Sequence, residues 1–519
     1  MKNSARQSMA WLHSWVGLLF GWILFAIFLT GSLTYYRHEI NLWSQPHLAN
    51  IQVEPKQAVL TGLEYLEKHA SDAKSWYLQV ANENNPSNKI FWQTQDGVFN
   101  SKTLDPNNAQ ELQSSVTPAG EFIYLFHFQL YGMPILTARL IVSCAAFMML
   151  ISLISGIITH KKIFTDFFTL RAFKAQRSYL DVHNVSSVIA LPFFLTISFT
   201  GLAILFYLFL PMSIQKHYSD NVFQFFDEIR TQKIVEASNI QTAQMLSVQQ
   251  LLDRVQKNIG DVPLNIITVK NPNTTQAIAT FNALEDKTIT QNVAQTTMNA
   301  ATGELLSTQK NQSPIATVSA GVYGIHMMTF AQPFLRVCLF ISGLLGCAMI
   351  ASGLLLWSLK RQLQQKQAQF HFGHYLVNRF NMTAILGLSI AVVSFLASYR
   401  LNTLLKANLS EIQVFFSVWF IALLVSFAIP QQYVWKAFLK VFIGLCALFM
   451  LLDGLYLSTI FETSSGLSLW KIIRVDLFIA IFLLIGVFLH QKIEPIRIKA
   501  VTKIKTKMAA KDTTIEDKS

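Results

Sequence analysis

Residues Trp11 to Gly31 read WLHSWVGLLFGWILFAIFLTG. The run is apolar and long enough to cross a bilayer, which takes about 20 such residues. Yet it opens on His13 and closes on the pair Thr30-Gly31. A second run, HNVSSVIALPFFLTISFTG, opens on His183 and closes on Thr200-Gly201. The His-to-Thr spacing is 17 residues in both. A single histidine at a membrane edge is more often an interfacial or hydrogen-bonding residue. Two at one spacing point to a duplicated unit.

The rest of the chain agrees with a membrane reading. Of 519 residues, 52% are hydrophobic and 13% charged, whereas soluble domains carry about 25% charged residues. The net charge of +12 suggests nucleic acid only until its positions are noted. Lys and Arg cluster beside apolar runs, as the positive-inside rule describes, and no nucleic-acid partner is expected. The four cysteines, Cys144, Cys338, Cys347 and Cys446, fall inside apolar runs and lack zinc or disulfide-framework spacing. The first apolar run is longer than the h-region of a signal peptide and no A-x-A-like site follows it, so it reads as a retained anchor.

Eight apolar runs are long enough to span, near residues 11–36, 134–159, 186–210, 333–357, 381–402, 412–430, 437–458 and 469–490. Basic residues follow the even-numbered spans: Lys161, Lys162, Arg171, Lys174 and Arg177; Lys360, Arg361, Lys366 and Arg379; Lys436 and Lys440; and Lys492 to Lys507. With Lys2 and Arg6 on the same side, both termini are expected in the cytoplasm. The polar segments 42–126 and 213–325 are then outside. Each reads as one helix (KQAVLTGLEYLEKHA, SVQQLLDRVQKNIG) followed by alternating strands (SWYLQVAN and KIFWQTQDG; LNIITVKN, TQAIATFNA and AQTTMNAATGELL). That predicts two small α+β units.

Spans two and four also match each other. His127 precedes Pro134 by seven residues and His326 precedes Pro333 by seven. An arginine follows each proline, Arg139 and Arg336, and each helix later carries a Ser-Gly step, Ser155-Gly156 and Ser352-Gly353. The chain thus reads helix, outer segment, helix, twice. His13 and His183 share the inner face, while His127 and His326 share the outer face. Imidazole is a good iron ligand, and axial ligands tune haem potential. Facing helices of a bundle commonly build cofactor sites. The pattern predicts two bis-histidine b-type haems forming a stepped electron path, with Arg139 and Arg336 on propionates. A purely structural duplication is the plain alternative.

The motifs W-L-H with T-G in span one, Arg177-x5-His183 with T-G in span three, and His-x6-Pro before spans two and four resemble the PepSY-associated transmembrane family over about residues 5–360. These are often iron-regulated inner-membrane proteins of Gram-negative bacteria, and some members are haem-containing reductases that release iron from siderophores in the periplasm. The resemblance implies a duplicated four-helix core, four further transmembrane helices and two small PepSY-like periplasmic domains. It implies haem at His13, His183, His127 and His326, with those four as axial ligands. In residues, it divides the chain into 1–41, the periplasmic domain 42–126, 127–212, the periplasmic domain 213–325, 326–360, a linker 361–380, helices 381–491 and a basic tail 492–519. The expected activity is reduction of a ferric siderophore or other iron chelate. The electron donor, quinol or a cytoplasmic reductase, is unassigned, because no G-x-G-x-x-G and no soluble reductase domain is present. PepSY-like domains also occur in protease propeptides, so a non-enzymatic membrane regulator or peptidase-binding protein is the rival class. A transporter is disfavoured for want of a Gly/Pro-broken helix pair.

Other residues attract weaker readings. His371 and His374 in HFGH suit a solvated loop better than a metal site. His38, His47, His69 and His217 read as surface residues, Asp453 and Arg474 as a pair with each other, and Pro192 as a kink in span three. The tail from Lys503 reads as disordered, basic and held near anionic membrane lipid.

Overall fold

The computed structural model describes residues 4–112, 117–160, 176–208, 216, 241–284, 288–290, 293–308, 314–364, 370–461 and 469–492. His217, the basic clusters at 161–174 and beyond 492, Lys366 and the tail lie outside these residues. Helices in chain order are α1 (Ala5–Thr34), α2 (Arg37–Ser44), α3 (Pro55–His69), α4 (Ala119–Gln129), α5 (Ile135–Thr159), α6 (Gln176–Ile189) and α7 (Leu191–Ile204). They continue with α8 (Val248–Ile259), α9 (Pro314–Met327), α10 (Pro333–Gln364), α11 (Phe372–Met382), α12 (Leu388–Leu405), α13 (Glu411–Ala428), α14 (Val434–Ile460) and α15 (Leu469–Lys492). Strands are β1 (Ser75–Gln79), β2 (Asn88–Gln93), β3 (Phe99–Leu104), β4 (Leu264–Lys270), β5 (Ile278–Ala283), β6 (Gln295–Asn299) and β7 (Leu305–Ser307). The chain divides into two compact units: Met1–Ser44 with Pro118–Leu202 and Phe334–Ser519, and Gln45–Thr117 with Ala203–Pro333.

The first unit is helical. Among the described residues, seven helices are long and apolar enough to cross a membrane, and the pair α6–α7 makes an eighth if counted as one crossing. The α6–α7 pair bends by 68°. Pro192 sits in the first turn of α7, where its missing N–H goes unneeded but the helix before it cannot run on straight. α1 starts on a capping box: Ser4 Oγ accepts from the Gln7 N–H at 3.4 Å, and the Gln7 side chain accepts from the Ser4 N–H at 3.0 Å. The fifth span begins at Phe372, earlier than its hydropathy suggests, and runs to Leu405 through a π-turn at Thr383–Gly387. The indole N–H of Trp419 donates to the Thr383 carbonyl at 3.1 Å, occupying an acceptor where the helical ladder is disturbed. HFGH is therefore no loop: His371 caps α11 and His374 lies within it.

The expected pair Asp453–Arg474 does not form. Asp453, fully buried, instead pairs with the guanidinium of Arg400, which is 1% exposed. The indole N–H of Trp43 donates to the same carboxylate at 3.1 Å, and Arg400 lies over the Trp43 ring at 4.0 Å. A carboxylate this deep needs a partner equally deep. Arg474, at the rim, is 3.7 Å from Glu39 Oε1, and Glu39 also accepts from Arg336 at 2.6 Å.

The second unit holds a seven-stranded antiparallel sheet of order β3-β2-β1-β4-β5-β6-β7. The sequence predicts two separate α+β units. The structure joins their strands through β1 and β4, with Trp76 opposite Val269 and Leu78 opposite Ile267. Alternation explains it: Trp76, Leu78, Ile267 and Val269 all point to one face, where Leu66 of α3 and Leu251 of α8 meet them in a single core. Each fully buried Leu or Ile contributes about 1.5–3 kcal/mol, and neither half could bury its joining strand alone. Asn88 is buried and satisfied, donating to the Ala58 carbonyl at 2.6 Å and accepting from the Ala81 N–H at 2.9 Å. AQTTMNAATGELL, expected as one strand, is a hairpin of β6 and β7 turning at Gly303, whose φ is +73°.

Candidate functional site

Helix α1 carries His13 to α5, where its Nδ1 lies 2.8 Å from the Ser152 carbonyl. Helix α6 carries His183 to α10, where its Nδ1 lies 2.8 Å from the Met349 carbonyl. A carbonyl can only accept, so each Nδ1 carries the proton and each Nε2 of the neutral ring presents a lone pair. This is how metal-binding imidazoles are oriented by their surroundings. The two rings face one another with centroids 6.0 Å apart and planes at 71°. Two imidazoles on opposite sides of one metal ion, with metal–nitrogen bonds of about 2 Å, would put their centroids roughly 6 Å apart.

Glycine makes room for both rings. A Cβ on Gly156 would stand 3.2 Å from the His13 ring, and one on Gly353 would stand 3.0 Å from the His183 ring. A cavity of about 400 Å³ opens between them, bounded by α1, α5, α6 and α10 and floored by Gly17 and Gly21. Lys360 and Arg361 line it, seven and eight residues beyond Gly353 along α10, and no Asp or Glu does. Such a cavity suits an apolar group bearing carboxylates. His160 also lines it and is bonded to the Asn184 amide at 3.0 Å. Among the described residues no three His, Cys, Asp or Glu side chains converge on a bare metal ion. Paired imidazoles therefore fit a metal whose other ligands come from a planar macrocycle.

The arrangement recurs at His127, near the end of α4. Its Nδ1 is 2.8 Å from the Ile27 carbonyl of α1, and a Cβ on Gly31 would stand 2.6 Å from its ring. In all three cases the accepting carbonyl lies four residues before the glycine: Ser152 and Gly156, Met349 and Gly353, Ile27 and Gly31. The small-residue steps singled out in the sequence are imidazole seats on a neighbouring helix. His326 lies near the end of α9 in the second unit. Arg139 donates to Gln129 at 2.9 Å, and Arg336 to Glu39. The sequence reading used Lys360 and Arg361 only as topology markers. Their two-turn spacing from Gly353 is the signal that places them on the cavity face.

Fold and site together define a multi-pass membrane protein with a histidine-lined cavity in its helical unit. The model of the PepSY-associated TM region matches residues 10–361. The chain belongs to that family. No curated protein matches it.

Proposed function

We propose that the protein is a di-haem reductase of the bacterial inner membrane that passes electrons outward to a ferric siderophore or similar chelate. The observation that carries this is the facing pair His13–His183, each held in the Nδ1–H tautomer and set 6.0 Å apart over a 400 Å³ cavity. The three matching histidine seats support a duplicated four-helix core. His13 and His183 would be the axial ligands of the inner haem b, with Lys360 and Arg361 on its carboxylates. His127 would hold the outer one, with His326 as its partner by the shared His-x6-Pro spacing. When bound, haem supplies a one-electron carrier. The chain's own part is to fix the imidazoles by carbonyl hydrogen bonds and to leave glycine where the rings must lie. Fourteen residues of α1 separate His13 from Ile27, about 21 Å of helix, so the two seats stand well apart along the membrane normal. In this reading both termini are cytoplasmic and the sheet is periplasmic, where the chelate is met.

Absorption spectra of the purified protein, oxidised and dithionite-reduced, test the reading. Sharp low-spin b-type bands at two haems per chain are expected. A colourless protein from haem-replete cells overturns it.

A further inference from the structure

The four helices beyond the family region meet the family helices along a seam, and a second cavity lies in it. It is small, about 80 Å³, and almost wholly apolar. Leu33 and Tyr36 line it from α1 and the turn after it, Val393 from α12, and Phe478 and Ile479 from α15. The Phe478 ring packs on Tyr36 at 4.5 Å and on Phe340 at 5.2 Å. At the polar end stands Glu39, 7% exposed. One of its oxygens takes Arg336 and faces Arg474. The other, Oε2, is buried without a hydrogen-bond partner among the described residues. A carboxylate oxygen left so is costly, and the missing partner is a donor.

The ligand that answers this has a flat apolar body, a hydroxyl that donates, and solubility in the bilayer. We propose that the seam cavity binds the headgroup of a membrane quinol, with one quinol hydroxyl donating to Glu39 Oε2 and the ring lying among Tyr36, Phe340 and Phe478. As found, the cavity is smaller than the 150 Å³ or so that holds a benzene ring, so entry requires the Phe478 ring to turn aside. The assignment rests on the reductase reading for its purpose, since a quinol is a two-electron, two-proton donor dissolved in the same membrane. It gives the added helices a role: they form one wall of the donor site.

The test uses the full-length protein in lipid nanodiscs and a photoreactive azido-substituted short-chain ubiquinone. Labelling is expected on peptides that include Phe478 or Tyr36, competed by decylubiquinone, and lost in Phe478→Trp, which fills the space. Ile479→Phe is the second filling variant should the first fail to fold, and Glu39→Gln should weaken labelling while the chain still folds. Labelling of the cavity in a protein that holds no haem would uphold this site and sink the reductase reading. Haem present, with labelling absent from the cavity or indifferent to both filling variants, overturns the site and leaves that reading standing. If neither haem nor label is found, both fall.

Discussion

The imidazole of His13 and that of His183 come from different helices, each pinned by a carbonyl of yet another helix, and meet with centroids 6.0 Å apart. Four helices thus have to be in register for one pair of rings to face. Substituting either histidine by alanine should abolish the inner centre and leave the outer one. The expected result is half the haem per chain in His13→Ala and in His183→Ala, counted by pyridine haemochrome, and the loss of both together in neither.

The glycine seats differ in tightness, and the difference is testable. A Cβ at Gly31 would stand 2.6 Å from the His127 ring, whereas one at Gly156 would stand 3.2 Å from His13. Gly31→Ala should therefore push His127 off its seat, at a cost of about 1–3 kcal/mol for overpacking. Gly156→Ala should be accommodated by a shift of a few tenths of an ångström. Thermal unfolding in detergent, followed together with haem content, ranks the two. Equal behaviour of the variants would show that the seats are looser than these contacts.

Arg400 and Asp453 should be the most costly charges to break. Removing one partner leaves the other buried and unpaired, which costs about 3–5 kcal/mol. Asp453→Asn, which also weakens the acceptor of the Trp43 indole, should lower the unfolding midpoint strongly. Arg474→Ala, at a rim position 35% exposed, should barely move it. A double change, Arg400→Met with Asp453→Leu, should recover much of the loss. That recovery would separate the pair's burial cost from any role in electron flow.

In the second unit, Glu111 accepts from Lys102 at 2.5 Å and from the Tyr65 hydroxyl at 2.5 Å. These hydrogen bonds hold its carboxyl below the usual carboxylate range, while burial and Glu111 push the Tyr65 phenol up to about 12. The carboxylate's contribution is complete above the unfolded-state pKa and is lost as pH falls through the depressed folded value. The phenol's is complete below its unfolded pKa and is lost as pH rises through its raised one. Glu111→Gln should therefore flatten the acid limb of stability against pH, and Tyr65→Phe the alkaline limb. Unfolding midpoints measured across pH check both.

The membrane spans and the histidine pairs were legible because hydropathy and spacing are local properties of the chain. The seven long helices and the bent pair fall close to the apolar runs, and the kink lies just before Pro192 as expected. What was not legible is what depends on distant partners. Strand β3, FNSKTL, is largely exposed and polar, so no alternation marks it. Its pairing with β2 alone defines it. Arg400 escaped notice because an arginine near a span's end usually reaches water. Here a tryptophan, a tyrosine and a carboxylate from other helices enclose it. The union of β1 with β4 is likewise invisible in either segment alone.

That union imposes an order on synthesis. Strand β1 ends at Gln79 and its neighbour β4 begins at Leu264, 185 residues later. At about 5–20 residues per second, the first half of the sheet waits on the order of ten to forty seconds with the inner edge of β1 open. An unpaired edge is a template for the wrong strand. While the ribosome threads two more helices into the bilayer, the newborn half-sheet must be shielded or kept apart from its siblings. The yield of this protein is thus set in part by what attends the nascent chain during that interval.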